Sequence, residues 1–338
     1  MAWSVDWAVE VDGVSATEDM ADYLMSITVS DKAGSASDSC RLVFDDTDGQ
    51  IRLPQPGSAL KVLLNQVPVF DGITDSVKAS GNRGSGRSLS VSAKGFDTRG
   101  KAKEPQQLHQ DDGTVGDFLT KLARKAGFTP TIDPELGSIV RDYLVADGES
   151  FLHMGEKLAR ELGGTFKLRG TDAVLTKMGA DYGLPLVRGL FQAGGGNVIS
   201  YDIEPISTRE IFKKTAVDYF DRSSGAVKRE EAEAPARAEV ETANLVRTPA
   251  RDKAHAKEIA EARGREVERE GGTGRVTLDL DPTAQAEGLF SLSGARDGVD
   301  GTYRIDGVTH QANRSGGSTT DLGLKQPQDG AGQDERTA

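Results

Sequence analysis

The chain has 338 residues, with 41 Lys and Arg against 53 Asp and Glu, for a formal charge of −12. That length suits two or three compact units better than one core, and the acid excess opposes wrapping of a phosphate backbone. No segment approaches the ~20 apolar residues of a membrane span, which argues against stable membrane insertion, and the opening MAWSVDWAVEVDG lacks the basic end and apolar run of a secretory signal.

The first hundred residues read as antiparallel strands. Trp3, Val5, Trp7, Val9 and Val11 alternate up to an Asp12-Gly13 turn, and Tyr23, Met25, Ile27 and Val29 alternate again. Cys40, Leu42 and Phe44, then Leu60, Val62 and Leu64, then Leu89, Val91 and Ala93 continue the period. One-sided alternation over so many short segments predicts a small barrel or a sheet with one wet face, assigned to residues 1–105.

Residues 106–190 change to a helical period. Thr114 is an N-cap, Asp117 sits in the first turn, and Val115, Phe118, Leu119, Leu122, Ala123 and Ala126 form a stripe closed by Gly127. A second copy of the plan has Ser150 as cap, Phe151, Leu152, Leu158, Ala159 and Leu162 as stripe, and Gly163-Gly164 as stop. TKLARKAGFTPTI and EKLARELGGTFKL share wording as well as period. The region is therefore two small helix-strand units, an α+β insert.

Residues 191–325 return to sheet as a second barrel, with strand candidates in VISYDI, KKTAVDYF, LFSLSG, TYRIDGVTHQ and STTDLGL. Residues 225–248, rich in Ala, Glu and Arg with little apolar patterning, read as an exposed loop. Thr248-Pro249 then opens a helix over about 249–269, with a thin apolar face of Ala256, Ile259, Ala260, Arg263 and Val267. The polar 326–338 segment reads as a disordered tail.

None of the reactive side chains forms a constellation. Cys40 lies in the alternating run SCRLVF and reads as a small core residue, with no partner for a disulfide. His109, His153, His255 and His310 show no ligand pair on one helix face, so no metal site is expected. FDDTDGQIRL begins like a calcium loop but lacks the closing acid in register, and reads as a polar turn. Glu149, Glu156 and Glu161 lie on or beside the second helix and read as its solvated face. No nucleophile elbow is present. No catalytic, cofactor or metal residue is assigned.

FDGITDSVKASGNRGSGRSLSVSAKG at 70–95 is echoed by IDGVTHQANRSGGSTTDLGLK at 305–325. Both run apolar-Asp-Gly-β-branched-Thr, a polar residue, a turn and a closing strand, with Gly72 and Gly307 each expected at a bulge or bend. His310 takes the place of Asp75, so it reads as a polar group on the strand surface rather than a catalyst. Two related barrels flanking an insert would let three copies build a ring with six similar faces.

These stretches resemble the late control protein D family of bacteriophage tail hubs, which is related to the hub portion of type VI secretion spike proteins. The resemblance rests on GTYRIDGVTHQANRSGGSTTDLGL at 301–324, on VPVFDGITDSV at 67–77 and on the paired units beginning TVGDFLTKLARKAG. It implies a non-enzymatic homotrimer in the baseplate of a virion tail, assembled in the host bacterial cytoplasm. A six-fold tail tube lies above it, a separate three-fold spike protein below, and other baseplate proteins around it. The genome would pass through the lumen without specific binding, and acids would outnumber bases on the lumenal wall. The alternatives are a tail-associated cell-wall-degrading enzyme and a glycan-binding module.

Overall fold

A computed structural model describes residues 3–34, 36–84, 86–180, 182–207, 212–233, 242–334 and 336. The architecture is mainly β with an α+β insert. The first rolled sheet contains β1 (Trp7–Val11), β2 (Val14–Ser15), the short α1 (Thr17–Met20), β3 (Leu24–Lys32), β4 (Ser39–Asp45), β5 (Ala59–Leu64), β6 (Val67–Asn82) and β7 (Gly86–Lys94). Its order is β2-β1-β5-β6-β7-β4-β3. Val9, Leu42, Val62, Leu64, Leu89 and Val91 fill its core, as their alternation predicts, and Cys40 is buried among them. Burial pushes the Cys40 thiol well above its ordinary value, which keeps it protonated and inert.

The alternation of Tyr23 and Met25 with Ile27 does not survive. The register between β3 and β4 slips between Leu24 and Ser26, and this irregularity exchanges the faces: Leu24 is buried while Tyr23 and Met25 are exposed.

The insert comprises β8 (Pro105–Thr114), α2 (Val115–Ala126), β9 (Thr129–Ile132), α3 (Pro134–Gly137), β10 (Val140–Ser150), α4 (Phe151–Leu162), β11 (Gly164–Arg169) and β12 (Asp172–Lys177). Both long helices carry the expected ends. Thr114 accepts the Asp117 N–H at 3.1 Å and Ser150 the His153 N–H at 3.2 Å, and Gly127 and Gly163 close them in the left-handed conformation. β8 pairs with β10, while β9 and β11 flank β12, so the two helix-strand units share one core.

The last part begins with β13 (Val187–Gln192), β14 (Gly195–Gly196) and β15 (Val198–Glu204). It continues through β16 (Lys214–Asp221), β17 (Ala226–Glu233), β18 (Ala243–Ala250) and α5 (Lys253–Arg269), and ends with β19 (Thr273–Asp279), β20 (Leu289–Ser293), β21 (Gly301–Asn313) and β22 (Gly317–Gln328). The second rolled sheet runs β13-β20-β21-β22-β19-β15. This matches β1-β5-β6-β7-β4-β3 strand for strand, except that β13 lies parallel to β20 where β1 is antiparallel to β5. Asn197 stitches the far side, accepting the Leu190 N–H at 2.8 Å and donating to the Arg188 carbonyl at 2.9 Å. The echoing hairpins β6–β7 and β21–β22 therefore hold the same place in two related barrels.

Three expectations are corrected. The 225–248 stretch is not a loop where it is described. β17 pairs antiparallel and β18 parallel with β16, forming a small sheet covered by α5, and 234–241 lie outside the described residues. β17 lacks a buried face, so no apolar period betrays it; backbone pairing and ion pairs such as Arg229 to Asp218 at 2.6 Å hold it. The helix starts after Asp252, which accepts the His255 N–H at 2.9 Å, because Pro249 belongs to β18. Ala256 and Ala260 of α5 face the small sheet and Ala262 meets the insert beside Gly163, whereas Arg263 is exposed. Finally, 326–334 are not disordered. β22 runs to Gln328, Ala331 is fully buried, and the Gly332 N–H reaches the Gly298 carbonyl at 2.9 Å. Residues 335, 337 and 338 lie outside the described residues.

Candidate assembly face

β21 belongs to both barrels: along one edge it pairs with β22, and along the other it pairs first with β20 at Gly301–Arg304 and then with β3 at Gly307–Asn313. The two sheets are therefore one, and residues on the face away from the cores line up across the seam. Ser200, Thr277, Asp321, Thr309, Ser30, Ser39 and Lys94 form one row in register over β15, β19, β22, β21, β3, β4 and β7. Asp279, Thr319, Gln311, Thr28, Arg41, Ser92 and Ser76 form the next. A third contains Asp202, Arg275, Gly323, Gly307 and Lys32.

Short polar side chains on this face bond across strands. Ser30 meets Thr309 at 3.2 Å across the seam, Arg41 donates to Ser90 at 2.9 Å, and Asp321 accepts from Thr277 at 2.5 Å and from Gln311 at 3.0 Å. These links hold the hydroxyls and amides in place, leaving a broad, low, hydrophilic surface with no aromatic side chain in the three rows. Lys94, Arg41, Arg275 and Lys32 stand against Asp321, Asp279 and Asp202, so bases slightly outnumber acids in these three rows and an acid excess is not found there.

Behind it, buried charges clamp the units together. Lys167 of the insert binds Asp31 of β3 and lies 2.7 Å from Asp38, and Asp31 also accepts the Ala286 N–H at 2.9 Å from the second barrel. Burial works against ionisation of Asp31, but the Lys167 charge and these hydrogen bonds hold it below the usual carboxylate range, while burial and the Asp31 charge push Asp38 up. Arg269 at the end of α5 joins Glu287 and Asp306, each at 3.0 Å.

His310 is not on the strand surface. It is 4% exposed, because the chain after β19 folds over the hairpin. Its Nε2 faces the Ala284 carbonyl at 3.3 Å and its Nδ1 the Thr320 hydroxyl at 3.0 Å. The carbonyl can only accept, so Nε2 carries the hydrogen and in the neutral ring Nδ1 is left as an acceptor facing Thr320, whose oxygen takes the Asp281 N–H at 2.9 Å and whose hydroxyl hydrogen is shared between Nδ1 and the Asp281 carbonyl at 3.3 Å. Burial holds the imidazole below its ordinary pKa, in the neutral form this arrangement needs. Asp75, its counterpart, sits at a register slip between Thr74 and Ser76 and accepts from Thr98.

The remaining candidates are dispersed. Glu149 is paired with Lys157 at 2.8 Å, and Glu161 with Arg141 at 3.3 Å and His255 at 3.0 Å; Glu156 joins neither group. Arg141 is itself buried and reaches Glu258 of α5 at 2.7 Å, so Glu161 and Glu258 fasten the insert to α5 through Arg141 and His255. His109 is exposed on β8 and His153 on α4. In the FDDTDG turn, Asp45 accepts from the Thr47 N–H and hydroxyl, and Asp46 from the Ile51 N–H, so both carboxylates close their own turn. Among the described residues no three His, Cys, Asp or Glu side chains group as a metal site, and no helix is long and apolar enough to cross a membrane.

No family model matches the chain. Over 172 residues it is 26% identical to the probable baseplate hub protein of Escherichia phage 186, a match covering 48% of this chain and 43% of that one. Over about half of its length the chain is similar to phage baseplate hub proteins. It thus aligns with less than half the length of this hub relative. The likeness in fold extends further than that alignment: the tail protein from Neisseria meningitidis MC58 superposes with a TM-score of 0.71 at 19% identity, over 96% of this chain and 97% of that one. A type VI secretion component of E. coli, c3393, described as structurally similar to the T4 tail proteins gp27 and gp5, gives a TM-score of 0.54 at 11% identity, over 97% and 79%.

Proposed function

We propose that the chain is a structural hub of a phage tail or phage-like injection device, of the late control protein D type. Three copies close into a ring in which the two barrels of each supply six similar faces, adapting a six-fold tail tube above to a three-fold spike protein below. The observation that carries this reading is the pair of barrels with matching strand order joined through β21, with polar rows running unbroken across the join. A ring of such barrels needs one continuous wall, and this face supplies it.

On this reading the wall faces the channel, in a virion baseplate assembled in the host cytoplasm among other baseplate proteins. Its chemistry is not the acidic lining expected from net charge. Low hydroxyls, nearly balanced charges and an absence of aromatic platforms let a nucleic acid pass without stacking or strong ionic capture. Of the acids on or beside α4, Glu149 is held by Lys157 and Glu161 by Arg141 and His255, while Glu156 stands apart from both, so the three do not converge on one cleft, which favours a non-enzymatic role.

Native mass spectrometry of the purified chain, alone and with the neighbouring tube and spike proteins, tests the reading. Three copies per particle and a three-fold ring on an electron-microscope grid are expected; a monomer in every mixture would overturn it. An assay on peptidoglycan should give no release of sugar or peptide. Activity lost on Glu149→Gln or Glu156→Gln would replace the hub with an enzyme.

A further inference from the structure

One row of the polar face departs from its neighbours. Lys32, Gly307, Gly323 and Arg275 stand side by side on β3, β21, β22 and β19. The two adjacent glycines leave the backbone bare and form the floor of a groove of about 710 Å³, with Lys32, Arg275, Lys325, Thr309, Gln311 and Asp321 among its walls.

The fold does not require glycine at either position. Neither residue has a positive φ, and an added Cβ would come no nearer than 3.5 Å to any atom at Gly307 or 3.7 Å at Gly323, which is ordinary contact. A glycine within a strand costs roughly 0.5–1 kcal/mol relative to alanine, and a β-branched residue would pack better there. Two such costs side by side, with no steric return, keep the floor low for something that lies on it. Lys32 and Arg275 flank that floor, both exposed and neither in an ion pair among the described residues. Three strand spacings separate them, about 14 Å.

We propose that this groove binds an extended acidic segment of a second protein, its backbone crossing Gly307 and Gly323 and its carboxylates meeting Lys32 and Arg275. The groove's position in a channel rests on the hub reading, but its chemistry does not. A polypeptide fits better than a nucleic acid. Thr309 and Gln311 offer neutral groups to peptide amides, and no aromatic side chain in the rows can stack a base.

The test is fluorescence anisotropy on the full chain. The probes are a labelled Glu/Ser/Gly peptide, the same peptide with Lys for Glu, and labelled oligothymidylate. Saturable binding of the acidic peptide alone is expected, weakened about tenfold or more by Lys32→Glu, by Arg275→Glu, and by Gly307→Leu with Gly323→Leu. The charge reversals lie on exposed side chains, so they report even if the leucine pair disturbs the strands. Absence of binding, indifference to all these variants, or preference for oligothymidylate would overturn the proposal. Native mass is read separately, so failure here leaves the hub reading standing, and a monomeric mass leaves the groove standing.

Discussion

The hairpins β6–β7 and β21–β22 occupy the same station in two related barrels and begin with nearly the same letters, yet corresponding residues do different work. Gly72 is where β6 passes so close to β7 that a Cβ would lie 2.2 Å from the Lys94 carbonyl oxygen and 2.7 Å from the Phe70 ring. At Gly307 a Cβ would meet only ordinary contacts, the nearest at 3.5 Å, and the bulge beside it falls on Asp306, where the register slips between Ile305 and Gly307. Asp75 is partly exposed at its own slip, while His310 is enclosed by a loop that the first barrel does not place there. Matching sequence thus preserves strand order and turn, but the role of each matching residue depends on which segment packs over it.

The sharpest break in this comparison is expected from alanine at the two glycines. Gly72→Ala should destabilise the chain by roughly 3 kcal/mol or more, because backbone must move to admit the methyl. Gly307→Ala should leave stability unchanged or raise it by up to about 1 kcal/mol. Urea midpoints of the two variants decide it, and equal losses would mean that the glycines share one role after all.

The clamp that holds the first barrel to the insert and to the second barrel comes next. Lys167→Met leaves Asp31 enclosed without its cation and Asp38 with only the more exposed Arg169 at 3.2 Å, and should cost about 3 kcal/mol, read as a lower urea midpoint. A loss within about 0.5 kcal/mol would show the clamp to be decorative.

His310→Ala should cost about 2 kcal/mol, through a cavity and an orphaned Thr320 and Ala284 contact, whereas Asp75→Ala should cost less than about 1 kcal/mol. pH separates the pair further. His310 has a folded pKa below its unfolded value of about 6.5, so its contribution is complete above that pH. It falls as the medium is acidified toward the folded pKa, because the unfolded chain takes up the proton first. The wild type should lose stability below about pH 6.5 by up to about 1.4 kcal/mol per pH unit from this group, and His310→Asn should remove that part of the slope. Superimposable pH profiles would refute it.

The mildest effect belongs to the other internal repeat. Thr114→Ala and Ser150→Ala should each cost about 1 kcal/mol, nearly equally, because α2 and α4 use the same cap in the same way. Differential scanning calorimetry that found one cap silent would show that this duplication too has diverged.

Much of the fold was legible in the sequence where a local rule and a buried face coincide. The caps and stripes of α2 and α4, the core alternation of β4, β5 and β7, and the echo of the two hairpins all follow from residue spacing, because each side chain's direction is set by the backbone period. β17 was illegible for the converse reason: ValLysArgGluGluAla at 227–232 has no apolar face and is a strand only because β16 offers it a partner. The burial of Ala331 was hidden too, since it is apolar by one methyl and is enclosed only where it meets Gly301.

The candidate assembly face divides along the same line. Ser, Thr and Gln at alternate positions are visible in the sequence as the wet side of each strand, and the sequence alone determined that side. What only the tertiary structure decided is that these sides join across β3 and β21 into one surface, that His310 lies beneath a loop, and that Gly307 and Gly323 stand next to each other. Those facts depend on contacts between residues far apart in the chain. Strand pairing is chosen by the whole packed sheet, and no local period encodes which strand will lie beside which.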